Sequence, residues 1–317
     1  MLLIYPRVVH YFFQISLIFK SKISIMNNSL VSICMTVWNG ERFLKQTIES
    51  LQAQTWTNFE LLILDNQSTD GTSLICSDLA KHDKRIRYIT DTKQRGVIEA
   101  QKLLFSMAKG DFLMLACDDD VYAPNYLSVL MGMLVATPTI GIAYSGYCHI
   151  DPSGAISKSG LRRFFTKDES AFHNFYIYIK WRDPIPIIFG IIRKSAYLKA
   201  IDYYMLANKT FSNHDNLYLL KLLSLYRVDS ISDPLFFYRS QDRRALYEKR
   251  GVYKSRSPFY EYFDRIAHQI AVSKVINKII LDSPNSISKK LILRFRNLSA
   301  LLFFCRPKYL FDNLKNR

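Results

Sequence analysis

From Leu30 onward the chain alternates short apolar, β-rich runs with stretches in which apolar residues recur every three or four positions. Leu30 to Val37 (LVSICMTV) reads as a buried strand, and Glu41 to Gln54 sets Leu44, Ile48 and Leu51 at helical spacing. Phe59 to Leu64 is a second apolar run. It stops at Asp65, and the Asp70-Gly71 turn signal leads into a helix over Thr72 to His82. Ile86 to Thr90 and a helix from Gly96 to Ala108 form a third pair. Phe112 to Ala116 is a fourth strand, Pro124 suits the first turn of the helix after it, and Ile140 to Ser145 is a fifth strand. This alternation predicts an α/β fold, a Rossmann-like, mostly parallel sheet flanked by helices. Such sheets bind ligands beyond the carboxyl ends of their strands, so the polar residues that follow the apolar runs carry the functional interest. Those residues are Thr36 to Asn39, Asp65 and Asn66, and Asp118 to Asp120.

Past Ser145 the regularity is lost. Asp151 to Gly154 reads as a turn, and an aromatic stretch (Phe172, Phe175, Tyr176, Tyr178, Trp181) precedes Asp183-Pro184. Residues 146–186 are expected to be an irregular, substrate-shaped region. Asn216 to Leu225 forms an apolar helix, and Val228 to Ile231 and Leu235 to Tyr238 read as two short strands. After Tyr260 helix formers and basic residues dominate, which makes residues 246–317 a basic helical C-terminal extension.

Composition narrows the class. With 49% hydrophobic residues the 317-residue chain can bury a large core, and a net charge of +16 points toward phosphate-bearing partners. The five scattered cysteines form no C-x-x-C pair, which speaks against a disulfide framework or a structural zinc site and for a reducing, cytoplasmic setting. Tyr11 to Phe19 is too short to span a bilayer and has no small-x-small cleavage site after it. Residues 1–28 are therefore expected to be an extension, with Met26 as an alternative start.

Asp118-Asp119-Asp120 follows the strand FLMLA. Three adjacent carboxylates repel one another, and at a strand mouth a divalent cation relieves that repulsion; hard Mg²⁺ or Mn²⁺ suits oxygen ligands and substrate phosphates. The alternative is a solvated acidic turn ahead of the next helix.

Val31 to Thr72 (VSICMTVWNGERFLKQTIESLQAQTWTNFELLILDNQSTDGT) and Arg95 to Leu127 (RGVIEAQKLLFSMAKGDFLMLACDDDVYAPNYL) together resemble the nucleotide-sugar glycosyltransferases of family 2, which have the GT-A fold. The resemblance implies a GT-A domain over residues 29–245, with nucleotide-sugar binding in 29–145 and acceptor binding in 146–245. By the same resemblance, Thr36 and Asn39 line the nucleotide pocket and Asp65 holds a uracil or thymine ring. Asp70 matches a recurrent position, and Arg95 and Gly96 lie near the nucleotide and pyrophosphate. Asp118 is then expected toward ribose and metal, and Asp119 as principal metal ligand. Cys117 stands where many relatives carry another Asp, so the register is open by one residue and Asp120 remains a candidate ligand. Since a carboxylate accepts from a pyrimidine N3–H but offers cytosine N3 no donor, Asp65 favours UDP- or dTDP-sugar donors.

Inverting displacement needs a general base on the acceptor hydroxyl. The resemblance places it in Phe211 to Asn216 (FSNHDN), where Asp215 is the expected base and His214 a positioning or acceptor-binding residue. His214 is also able to titrate near neutrality, and Asp215 is able to serve only as a helix N-cap. Gly190 to Arg193 and Tyr238-Arg239 resemble further family segments; Arg239 is able to neutralise diphosphate charge, but on composition a surface arginine fits at least as well.

Leu291, Phe295, Leu298, Leu302 and Cys305 fall on one helical face among basic residues, which predicts either peripheral contact with an anionic membrane or packing on the domain or in a dimer interface. The full expectation is a metal-dependent, inverting transferase acting on a glycan or lipid-linked oligosaccharide in cell-surface polysaccharide synthesis. It would be cytoplasmic, on the inner face of the plasma membrane. The rivals are a non-catalytic nucleic-acid binder, for which no recognition motif is present, and a retaining or nucleotidylyl transferase on a related sheet.

Overall fold

The computed structural model describes residues 29–160, 187–207, 214–240 and 273–304. The expected extension 1–28, the aromatic stretch from Phe172 to Trp181, and Cys305 lie outside the described residues.

Four strands, β1 (Val31–Val37), β2 (Phe59–Asp65), β3 (Ile86–Thr90) and β4 (Phe112–Ala116), pair in parallel in the order β3-β2-β1-β4. They are joined through α1 (Leu44–Gln52), α2 (Thr72–His82) and α3 (Val97–Met107). Successive strand side chains point to opposite faces, so β1 feeds two cores. Val31, Ile33 and Met35 pack with Leu44, Ile48 and Leu51 of α1, whereas Cys34 packs with Leu62 and Leu64 toward Ile98 and Leu104 of α3. Burial on both faces is why β1 and β2 read as near-continuous apolar runs. Truncating Leu44 or Ile48 to alanine would cost about 2–5 kcal/mol each.

Beyond β4 the sheet becomes mixed. β5 (Val121–Tyr122) is followed by α4 (Tyr126–Ala136), β6 (Ile140–Ile150), β7 (Ile156–Gly160), β8 (Ile191–Arg193), α5 (Lys194–Ala207), α6 (His214–Leu225) and β9 (Arg227–Arg239). β8 runs antiparallel between β4 and β6, β6 pairs in parallel with β9, and β9 pairs antiparallel with β5.

Two expectations change here. Residues 146–150 continue the fifth strand, and β7 pairs back on it around a turn, so the start of the supposedly irregular region is regular sheet. The turn at Asp151 is as expected: its Oδ1 accepts from the Ser153 and Ala155 amides at 2.8 and 3.1 Å. The two short strands near the end are one strand, β9, interrupted by register shifts beside Pro234. Pro234 breaks the sequence pattern but only bulges the strand. Gly146 makes the bulge fit, since a Cβ there would lie 2.5 Å from the Ser232 carbonyl oxygen.

The C-terminal part adds α7 (residues 273–281) and α8 (Ile287–Phe304). Ile276, Ile279, Ile280 and Leu293 belong to the same core as Tyr197 of α5 and Leu219 and Leu223 of α6. Among the described residues no helix is long and apolar enough to cross a membrane.

Candidate nucleotide and metal site

The parallel register lines up the carboxyl ends of the first four strands. Val37 sits beside Asp65, Asp65 beside Thr90, and Met35 beside Ala116. After β1 the chain reverses at Asn39, whose φ of 53° lies in the left-handed region that asparagine tolerates. The loops after β1 and β2 are then tied together. The Asn39 amide donates to Ser68 Oγ at 2.9 Å, and the Thr69 amide donates to Asn39 Oδ1 at 2.8 Å. Asp70 takes the Glu41 amide at 3.2 Å and the Thr72 amide at 3.1 Å, and Glu41 answers by accepting from the Gly71 amide at 3.0 Å. Burial pushes the Asp70 carboxyl up, but its hydrogen bonds, led by the Thr72 hydroxyl, outweigh this and hold it below its ordinary value. Asp70 is thus a clasp between two loops.

Asp65 ends β2 and is buried. Its Oδ1 accepts from the Ser68 amide and its Oδ2 from the Tyr88 hydroxyl, each at 2.8 Å. Two bonds leave a carboxylate with spare acceptor capacity while fixing its plane. Burial, and then the Asp65 hydrogen bond, push the Tyr88 phenol well above its usual range, so Tyr88 remains a donor. Tyr88 was not among the sequence candidates; it is identifiable only from its place on β3 next to β2. Next to Asp65, the Asn66 side-chain amide holds the Arg95 main chain on both sides: the Arg95 amide donates to Asn66 Oδ1 at 2.7 Å and Asn66 Nδ2 to the Arg95 carbonyl at 2.9 Å. The Arg95 guanidinium pairs with Asp91. Gly96, at the start of α3, has nothing within 4 Å of where a Cβ would lie. Thr36 Oγ1 is buried with no hydrogen-bond partner among the described residues.

The acidic triplet divides. Asp118 faces the β1 loop, where a Cβ on Gly40 would come within 2.5 Å of Asp118 Oδ2. Cys117, Asp119 and Asp120 instead bring their donor atoms within 4.8 Å of one another. The two carboxylates at that separation suit a hard divalent cation, whereas the thiol beside them is a soft donor that such a cation does not favour. Asp120 is fully buried, and its Oδ1 accepts the Arg239 amide at 2.8 Å.

Arg239 is the largest fully buried side chain of the described residues, which corrects its reading as a surface arginine. Its Nε donates to the Asp119 carbonyl at 2.7 Å, Nη1 to the Asp151 carbonyl at 2.9 Å, and Nη2 to Gln46 Oε1 at 2.6 Å. The guanidinium lies over the Phe43 ring, 4.5 Å from its centroid. Burial lowers its pKa, and the neighbouring Asp119 and Asp120 carboxylates offset only part of that; an arginine is charged at neutral pH regardless. Arg193 is likewise structural, with Nε donating to the Ile140 carbonyl at 2.8 Å, and Gly190 packs against the Ala143 carbonyl. His214 and Asp215 open α6 as bounded here, and their side chains lie outside the description.

The sequence model of the family described as Glycosyl transferase family 2 matches residues 32–197. A UDP-Glc:alpha-D-GlcNAc-diphosphoundecaprenol beta-1,3-glucosyltransferase of Escherichia coli, WfgD, is 29% identical over 42% of this chain and 51% of its own length. A GalNAc(5)-diNAcBac-PP-undecaprenol beta-1,3-glucosyltransferase of Campylobacter jejuni is 24% identical over 77% of this chain and 76% of its own. With several curated relatives the match spans only 34–51% of the relative's length. Among solved structures, S. aureus TarS 1-349 in complex with UDP superposes with a TM-score of 0.64 at 17% identity, covering 88% of this chain and 72% of that one, which establishes the shared GT-A fold. Because the family's sequence model matches more than half of its length, the chain belongs to glycosyl transferase family 2.

Proposed function

We propose that the chain transfers a sugar from a UDP- or dTDP-sugar, with inversion, to a hydroxyl of a lipid-linked glycan in cell-surface polysaccharide assembly. The observation that carries this reading is the convergence of Thr36, Asn39, Asp65 and Asp118 with the Cys117, Asp119 and Asp120 cluster at the carboxyl ends of β1, β2 and β4. The relatives named for undecaprenyl diphosphate-linked acceptors support the acceptor class.

Asp65, held by Ser68 and Tyr88, accepts from the N3–H of uracil or thymine and offers cytosine no donor. Thr36 Oγ1 supplies a free hydroxyl to the nucleotide. Gly96 leaves room for the diphosphate to approach the start of α3. Asp119, with Asp118 or Asp120 and with Cys117 beside them, would hold Mg²⁺ or Mn²⁺. When bound, the cation neutralises charge building on the departing diphosphate. Asp215 takes the proton from the attacking hydroxyl, with His214 positioning the acceptor.

Calorimetric titration of UDP, dTDP, GDP and CDP, with and without Mn²⁺, beside Asp119→Ala, tests the donor half. Metal-dependent UDP or dTDP binding that the variant loses is the expected result. Equal binding of CDP, or binding indifferent to Asp119, would remove the basis for the reading.

A further inference from the structure

Helix α8 has two unlike faces. Leu293, fully buried, and Asn297, also fully buried, are the side it presents to the protein. Asn297 Nδ2 donates to the Ser273 carbonyl at 2.9 Å and to Asn277 Oδ1 at 3.1 Å, which pins α8 to α7. The opposite side is apolar and open: Ile287 is 79% exposed, Phe295 74%, and Leu291, Ile292 and Leu298 each more than half. At 100° per residue, Ile287, Leu291, Phe295 and Leu298 fall within one stripe, and Leu293 and Asn297 lie on the far side. The sequence pattern alone left open whether this stripe packs on the domain. Among the described side chains the helix packs through Leu293 and Asn297, and the stripe is exposed.

We infer that this stripe is a docking surface for an anionic lipid bilayer. The charges choose the occupant. Lys289, Lys290, Arg294 and Arg296 are the only ionisable residues of α8; at 100° per residue Arg294 and Lys290 border the stripe on the Ile287 side, Arg296 lies past Ile292 on the other, and no acid interrupts them. A helix lying in the interface sinks such a stripe among the acyl chains and sets the flanking cations among headgroup phosphates. A second copy of the chain fits poorly, because a two-fold contact through the stripe would bring two like-charged borders together on a protein whose net charge is already +16. The inference does not depend on the proposed chemistry, since nothing in the nucleotide site enters it.

The test uses the full chain with vesicles of phosphatidylcholine alone and of phosphatidylcholine with phosphatidylglycerol, beside Leu291→Glu/Phe295→Glu and Arg294→Gln/Arg296→Gln. The replaced side chains are partly or largely exposed, and urea unfolding of each variant verifies that the fold is kept. The parent should co-sediment with the anionic vesicles and weakly with the neutral ones. The glutamate pair should lose at least ten-fold in vesicle affinity, and the glutamine pair should lose less and should flatten the salt dependence. Nucleotide calorimetry on the same variants should be unchanged, so failure of the donor reading and failure of this one are separable. Unchanged sedimentation of the glutamate pair overturns the inference, as does a parent that ignores vesicles but forms a dimer that the glutamate pair abolishes.

Discussion

Arg239 Nε donates to the main-chain carbonyl of Asp119 at 2.7 Å, joining the end of the last strand of the sheet to the acidic loop after β4. The same guanidinium reaches the Asp151 carbonyl and Gln46, so one buried cation braces three segments around Asp119 and Asp120. Replacing Arg239 with methionine leaves those acids without their buried counter-charge and should cost about 3–5 kcal/mol of stability. Arg239→Lys keeps the charge but not the fork and should recover part of the stability while still weakening Mn²⁺-dependent nucleotide binding. Urea midpoints and calorimetry on both variants check this. Equal stability of all three proteins would contradict a bracing role.

Gly40 is tested by the smallest step available. An alanine Cβ would meet Asp118 Oδ2 at 2.5 Å and Val37 Cγ2 at 2.7 Å, so either the carboxylate or the loop must move. Gly40→Ala should lose about 1–3 kcal/mol in stability, and UDP binding should weaken several-fold. Thermal unfolding and UDP titration measure the two effects.

Tyr88 and Asp65 form a second pair with a measurable consequence. Tyr88→Phe removes one of the two bonds that fix the Asp65 carboxylate and should cost about 1–2 kcal/mol in stability, with a few-fold loss of UDP affinity. Asp65→Asn should lose more than ten-fold for UDP while narrowing the gap to CDP, because an amide presents both a donor and an acceptor. A preserved UDP preference in Asp65→Asn would mean that the base is read elsewhere.

Asp119→Ala and Asp215→Ala separate binding from proton transfer. Each should abolish most turnover, but only Asp119→Ala should also weaken nucleotide binding. Near-normal turnover in Asp215→Ala would move the role of base to His214.

Acid stability has a local reporter away from the site. Hydrogen bonds from the Arg85 guanidinium, assisted by its amide and Gln52, hold the Asp83 carboxyl at about 2, below its ordinary 3.8. A lowered folded-state value means that the contribution is complete above about pH 4 and is lost as pH falls toward 2. Asp83→Asn should therefore be less stable than the parent at neutral pH, and the two urea midpoints should converge near pH 2. A constant difference across that range would exclude this ion pair as the cause.

The parallel half of the sheet was legible in the sequence because its strands are buried on both faces and so carry unbroken apolar runs, as in β1 and β2. The polar residues at their ends, from Thr36 to Asp119, could be found for the same reason: each follows directly on such a run. Local pattern could not reveal pairing between distant segments. Pro234 looks like a strand break until β6 is seen to carry β9 past it, and Gly146 looks ordinary until Ser232 is placed against it. Tyr88 was invisible in the sequence because it acts across β2 and β3, and although Tyr238-Arg239 stood out, the partner of Arg239 did not, since the contact spans more than a hundred residues to reach Asp119. The periodicity of α8 showed that one face is apolar but not which side is covered. Only tertiary packing decided that, because Leu293 and the hydrogen-bonded Asn297 are the buried side chains among those described and Ile287, Leu291, Phe295 and Leu298 are exposed.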